Sequence, residues 1–174
     1  DIDSALSQMD VRKDELMHIG RYQKAVSTAI QMSKKLGRPI RMLDLGCGEI
    51  YTMRTLYKSF IVKKSEVIRQ YIGIDIDNIM LDRVRKEYSS LLELIHGKLI
   101  AQDITVNNKI KVRDGYFDLI VWFEMIEHIK PEFVSPMFTE LSRVLSPEGV
   151  ILVSTPNSNG SNTKLPKDHA VSYT

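Results

Sequence analysis

Arg41-Met42-Leu43-Asp44-Leu45-Gly46-Cys47-Gly48-Glu49 reads as a buried strand that ends in an acidic residue and breaks into a tight glycine turn. Ile40, Met42, Leu43 and Leu45 supply the apolar run. Gly46 and Gly48 supply a backbone that bends sharply and lets a ligand approach with no Cβ in the way. Beyond the turn, Met53, Leu56, Tyr57 and Phe60 recur at helical spacing, so a helix follows with its amino end at the turn. Strand, glycine turn and helix together make a cradle of the nucleotide-binding kind. A glycine pair alone is weak support, because many α/β turns carry one for steric reasons.

The next strand strengthens it. Tyr71-Ile72-Gly73-Ile74-Asp75-Ile76-Asp77 is apolar and β-branched, and Asp75 stands where the second strand of a βαβ unit places a ribose-binding carboxylate. The polar insertion Lys63-Lys64-Ser65-Glu66 lengthens the spacing from the glycines. The competing role for Asp75 is a helix N-cap, for which Asp77 and Asn78 also qualify. With the glycine turn alongside, the ribose role leads.

Outward from these motifs the chain alternates helix and strand. Leu16, Ile19, Tyr22, Val26 and Ile30 form an apolar helical stripe that Gly37 and Pro39 end. Leu81, Val84, Tyr88, Leu91 and Ile95 form another. Strands are expected at 98–102, 117–123 and 150–154. A helix marked by Phe133, Met137, Leu141, Val144 and Leu145 precedes the last of these and stops at Pro147 and Gly149. Alternation of this kind gives a parallel sheet with helices on both faces. The 174 residues suit one domain with a sizeable core. A net charge of +2 argues neither for nor against a nucleic-acid partner. The single cysteine, Cys47, excludes an intrachain disulfide, and its place inside the turn favours a small packed residue over a nucleophile. No apolar run approaches the roughly 20 residues of a membrane span, so no membrane partner is expected. No signal-peptide pattern opens the chain, and the cytoplasm is the expected compartment.

The order of these motifs resembles the class I S-adenosylmethionine-dependent methyltransferases over roughly residues 40–156. Leu43-Asp44-Leu45-Gly46-Cys47-Gly48 matches the first motif and Gly73-Ile74-Asp75-Ile76 the second. Ala101-Gln102-Asp103-Ile104, Phe117-Asp118-Leu119-Ile120 and the segment 141–156 follow in sequence. The resemblance implies a Rossmann-like α/β fold, a mostly parallel sheet with helices on both faces that stops after its fifth strand. It divides the chain into an amino-terminal helical region (1–38), a cofactor-binding core (39–156) and a polar tail or start of a carboxyl-terminal part (157–174). Such enzymes usually add two more strands as an antiparallel hairpin at the sheet edge, so the chain reads as a piece of a longer protein. One departure concerns the methionine end of the pocket: the family's further glycine after Gly48 is Ile50 here.

The implied cofactor is S-adenosyl-L-methionine. Gly46, Cys47 and Gly48 would run beside its methionine and ribose portions, with Asp44 near the amino group or ordering the loop. Asp75 would take the ribose hydroxyls and Ile76 the adenine face. Asp103 would accept from the adenine amino group, flanked by Ile104, unless it caps a turn. Phe123 completes the set at the fourth strand's end.

Acceptor chemistry belongs after that strand, at Phe123-Glu124-Met125-Ile126-Glu127-His128. Two carboxylates and an imidazole offer a general base or a set of metal ligands. In a helical segment Glu124, Glu127 and His128 would share one face. With His169 they are similar to the ligand set of small-RNA 3′-end 2′-O-methyltransferases, which implies Mg2+ or Mn2+ and an RNA partner. The same Glu-x-x-Glu-His pattern resembles that of many small-molecule methyltransferases. There His128 serves as base, with Glu124 and Glu127 orienting it or the acceptor. The RNA enzymes' Phe-Glu-Trp after the last histidine is replaced by Ala170-Val171-Ser172-Tyr173, and this favours the base. No Asp/Asn-Pro-Pro-aromatic run grips a flipped base and no second cysteine attacks one, so no DNA partner is expected. The readings are methylation of a small-molecule or sugar hydroxyl, metal-dependent RNA ribose methylation, and a degenerate cofactor-binding subunit. Acceptor choice is expected to reside in helix 10–36 and beyond the chain's end. A dinucleotide oxidoreductase fails for want of the third glycine.

Overall fold

The structure, a computed structural model, describes residues 19–58, 67–156 and 169–173. In chain order the elements are α1 (Ile19–Leu36), β1 (Ile40–Leu45), α2 (Tyr51–Lys58), β2 (Ile68–Asp75), α3 (Asn78–Glu87) and α4 (Ser89–Leu94). There follow β3 (Lys98–Ala101), β4 (Phe117–Phe123), α5 (Pro131–Val144), β5 (Leu145–Pro156) and β6 (His169–Tyr173). They build one sheet in the order β3-β2-β1-β4-β5-β6. The first five strands run parallel, as the alternation of elements requires, and β6 pairs antiparallel to β5, with His169 opposite Pro156.

Alternation along the central strands splits the core in two. Ile40, Met42, Tyr71, Leu119 and Val121 face α1 to α4, against Ala25, Ala29, Met53, Leu81 and Leu91. Leu43, Leu45, Ile72, Phe117, Ile120 and Trp122 face α5, against Met137, Leu141 and Val144. Every residue of β4 is buried, which makes it the hydrophobic spine of the sheet. Each such fully buried large side chain stabilises the fold by roughly 1.5–3 kcal/mol.

Three boundaries differ from the sequence reading. The stripe from Leu81 to Ile95 is divided between α3 and α4 by Tyr88, whose φ of −111° leaves the helical range, yet all five positions stay buried. Strand β5 begins at Leu145, directly after α5, because Leu145 pairs with Phe117 and a register shift before Leu119 absorbs Pro147 and Gly149. The sheet does not stop at its fifth strand: β6 lies in the segment read as a polar tail, where the short alternating run 169–173 completes a hydrogen-bonded edge. Leu16, Phe60, the insertion 63–66 and the stretch 157–168 lie outside the described residues.

The strand order reverses direction between β1 and β4. In open α/β sheets a crevice forms at that switch, outside the carboxyl ends of the strands. Gly46, Asp75, Asp103 and Glu124 follow the carboxyl ends of β1 to β4, so the fold delivers all of them to one edge. No helix among the described residues is long and apolar enough to cross a membrane.

Candidate active site

A cleft of about 360 Å3 opens at the switch point, within the size range of small-molecule sites. Gly46, Asp75, Ile76, Asp103, Ile104, Phe123, Glu124 and His128 line it, eight of the residues singled out in the sequence. Ile74, Gln102, Thr105, Met125 and Ile129 complete the wall and were not anticipated as site residues. Their signal was position alone, since they stand near Asp75 or Asp103 or follow β4.

The glycine turn is fastened from below. The backbone N–H groups of Gly46 and Cys47 donate to the Ile74 carbonyl at 2.8 and 3.1 Å, tying the turn to the end of β2. Gly46 has φ +67°, a backbone conformation that favours glycine, and a Cβ there would lie 2.6 Å from the flexible Met125 Sδ, which would have to swing aside. At Gly48 (φ +48°) a Cβ would meet nothing within 4 Å: that side of the turn is open space into which a ligand can come close to the backbone. Glu49 then locks the loop to the helices, accepting from Tyr51 Oη at 3.0 Å and pairing with Arg54 and Arg83.

Cys47 does not line the cleft. It is buried against Gly73, where a Cβ would come within 2.8 Å of its Sγ. Burial pushes its thiol well above the ordinary range, which makes it a packing residue. Asp44 is also buried. It accepts from Tyr71 Oη at 3.0 Å beneath the turn. Burial raises its carboxyl to about 7, against the opposing hydrogen bonds of Tyr71 and Thr52. Asp44 therefore supports the loop from inside.

Asp75 holds two backbone groups, accepting from Gly48 N (Oδ2) and Asp77 N (Oδ1), each at 3.0 Å. The helix-capping role goes to Asp77, whose Oδ1 accepts from Met80 N at 2.9 Å. Asp103 commits Oδ1 to its own turn, taking Thr105 N at 2.8 Å and Thr105 Oγ1 at 2.7 Å. These bonds hold its carboxyl below the usual range. Ile76 is 69 % exposed at the rim, an apolar surface left for a ligand, whereas Ile104 and Phe123 are buried in the wall.

The acidic and imidazole cluster after β4 is arranged differently from the one-faced helix expected of it. Glu124 takes φ +50°, a left-handed conformation that turns the chain out of β4. Only residues 126–128 form a short 3-10 turn, with His128 N donating to Met125 O at 3.0 Å. Glu124 is thereby separated from its neighbours and bound elsewhere. Its Oε1 accepts from Ser154 Oγ at 2.8 Å and lies 2.7 Å from Arg21 Nη1 of α1. The Arg21 contact is an ion pair without hydrogen-bond alignment: Nη1 and Nε are buried and make no aligned hydrogen bond. Glu127 is exposed and accepts from Thr155 Oγ1 at 3.3 Å, outside the cleft wall, while His128 stands exposed at the cleft's rim. Among the described residues no three metal-capable side chains converge. The proposed set of Glu124, Glu127, His128 and His169 is thus not assembled there, and the His169 side chain lies outside the described residues.

Ile50, the departure from the family pattern, keeps the glycine-like backbone with φ +52°. Its side chain is fully buried among the residues of α1 to α4, and its N–H donates to Cys47 O at 2.8 Å. A left-handed backbone at a β-branched residue carries local strain.

Comparison with known proteins bears on the family of the chain. A family described as Methyltransferase domain matches residues 18–171. A probable S-adenosylmethionine-dependent methyltransferase of Mycolicibacterium smegmatis is 34 % identical over 134 residues, covering 74 % of this chain and 44 % of its own length. The chain thus spans less than half of that relative. Among solved structures, a putative sarcosine dimethylglycine methyltransferase from Galdieria sulphuraria superposes with a TM-score of 0.59 at 23 % identity, over 87 % of this chain and 51 % of that one. A Burkholderia thailandensis 1,6-didemethyltoxoflavin-N1-methyltransferase, solved with S-adenosylhomocysteine, gives 0.58 at 17 % identity, over 98 % and 64 %. With its glycine turn, its strand-end acids and this family match over most of its length, the chain belongs to the class I S-adenosylmethionine-dependent methyltransferases.

Proposed function

We propose that this chain binds S-adenosyl-L-methionine in the switch-point cleft and methylates a hydroxyl group of a small molecule or sugar. The observation that carries the reading is the convergence on one cleft of Gly46, Asp75 and Asp103 from three strand ends with the His128 imidazole. The open space over Gly48 and the exposed apolar face of Ile76 fit the cofactor. Gly46 and Gly48 pass beside its methionine and ribose portions, Asp75 takes the ribose hydroxyls, and Ile76, Ile104 and Phe123 enclose the base. Asp103 offers its remaining oxygen to the adenine amino group. The bound cofactor supplies a methyl group already activated on a sulfonium.

What remains for the protein is alignment and removal of the acceptor's proton. His128 at the rim is the base, and Glu127 is the carboxylate beside it in sequence that remains exposed. Glu124, engaged by Arg21 and Ser154, positions the loop that carries both. The metal-dependent RNA reading is weaker because Glu124 is already occupied. The degenerate-subunit reading is weaker because Ile50 packs in the core and its N–H closes the turn onto Cys47 O.

The test is a His128→Ala variant assayed with radiolabelled cofactor against a panel of hydroxylated small molecules. Cofactor affinity should stay within about twofold while turnover falls by about 10²-fold or more, the usual weight of a general base. Parallel loss of both would overturn the base assignment.

A further inference from the structure

The sheet has a second open end. On the opposite side from the cofactor cleft, at the amino ends of β1 to β3, lies a larger cleft of about 660 Å3. The end of α4 and the turn after it form one wall, and the connection 102–116 between β3 and β4, which contains no helix, brings Tyr116 to the other. Arg41 lies two residues before Leu43, Gln70 two before Ile72, and Lys98 pairs in register with Ile72. By strand alternation these three continue the face that carries the second core. Where a buried sheet would place apolar residues, this one places cations and an amide.

The polar groups are held ready. The Arg41 guanidinium lies 5.0 Å from the centre of the Tyr116 ring, and Arg113 lies 5.7 Å from the same ring. Tyr116 Oη donates to Gln70 Oε1, which leaves the Gln70 amide nitrogen as a donor with no bond among the described residues. Asp118 attracts the Arg41 guanidinium at a distance but forms no side-chain ion pair with it among the described residues. It accepts the Arg41 backbone N–H, and Arg38 claims its carboxylate with two bonds of 2.9 and 2.8 Å. Among the described residues Arg69 and Lys98 form no ion pair, and the lining sets Arg41, Arg69, Lys98 and the His96 imidazole against one carboxylate, Glu93. The carboxyl end of α4 would attract His96 and Lys98, but a helix of six residues does not account for cations arriving from β1 and β2.

We propose that this cleft is a second ligand site, which takes a phosphorylated small molecule. Arg41, Arg69 and Lys98 would bind its phosphate oxygens, and the Gln70 amide would donate to them. Guanidinium forks match tetrahedral oxyanions, with Arg69 reaching the cleft from the other face of β2, and Arg41, stacked on Tyr116, loses little freedom on binding one. The site lies at the far end of the sheet from the methyl-transfer cleft, so occupancy can be separated from cofactor binding.

The experiment is calorimetric titration of the full chain with inorganic pyrophosphate, in parallel with sodium chloride of matched ionic strength. It is repeated with the exposed double variant Arg69→Ala/Lys98→Ala and with Arg41→Ala. Binding by the unaltered chain, weakened about tenfold or more in each variant with cofactor affinity unchanged, is the expected result. Equal affinity in the variants, or a heat that matched chloride reproduces, would overturn the proposal. So would preferential capture of a single-stranded oligonucleotide with no pyrophosphate binding, which would make the surface a nucleic-acid contact.

Discussion

Ile50 shows how much information one residue carries at the active-site turn. Its left-handed backbone costs roughly 1–2 kcal/mol for a side chain with a Cβ. Burial of the same side chain returns more than that. Ile50→Ala keeps the strain and loses the packing, whereas Ile50→Gly loses slightly more packing and removes the strain. Both variants should be destabilised, but glycine by about 1 kcal/mol less than alanine, the reverse of the usual order. Urea unfolding of the two variants checks this. Asp44 gives a second prediction. Its folded-state carboxyl is raised to about 7, so the fold binds more protons than the unfolded chain between its ordinary value and 7. The associated stability is fully present below about pH 4 and is lost as pH rises through about 7. Asp44→Asn cannot titrate, and it should gain stability relative to the unaltered chain as pH goes from 5 to 8, read from paired melting curves. A constant difference would refute the burial argument. Residue identity at the strand ends was legible in the sequence, because glycine and aspartate have few other reasons to stand there. Which aspartate did which task was not. Asp75 and Asp77 compete on paper, and only the Met80 N–H, placed by α3, assigns the cap to Asp77.

At the scale of elements, α1 is fastened to the active site by the Arg21–Glu124 ion pair and by the edge-on contact of Tyr22 with Phe123. Arg21 and Glu124 are far apart in sequence, and neither periodicity nor motif links them, so the pair was invisible before the helix was packed against β4. The same pairing, with the left-handed turn at Glu124, explains why three residues spaced for a helix face do not share one. Arg21→Met should destabilise the chain by about 3 kcal/mol by leaving a half-buried carboxylate without its cation. Pairing it with Glu124→Gln should recover most of that loss, as a double-mutant cycle in chemical denaturation would show. Full additivity of the two would mean that the contact contributes nothing. The apolar stripes were read correctly as core surfaces because burial follows side-chain period directly. Their ends were less legible. Tyr88 breaks a continuous stripe through backbone geometry, and Leu145 starts a strand with the residue that ends a helix stripe.

For the molecule as a whole, sheet order explains why the functional residues meet. Hydrophobic alternation gives parallel strands, parallel strands with crossover helices give a switch point, and the switch point gathers the glycine turn after β1 and the acids at the ends of β2, β3 and β4 into one cleft. That much follows from the sequence pattern. The antiparallel β6 did not, since a five-residue edge strand leaves little periodicity to read. The second cleft was missed for a related reason: its lining comes from the starts of three strands and the end of α4, which no single motif links. Two-ended architecture also makes the central claim separable from the rest. The most direct measurement is calorimetric titration of S-adenosyl-L-methionine and S-adenosylhomocysteine into the unaltered chain and into Asp75→Ala. Micromolar binding by the former and an affinity loss of about tenfold or more in the folded variant, equivalent to about 1.4 kcal/mol, is the expected result. Undiminished binding by Asp75→Ala would contradict the placement of the cofactor in this cleft.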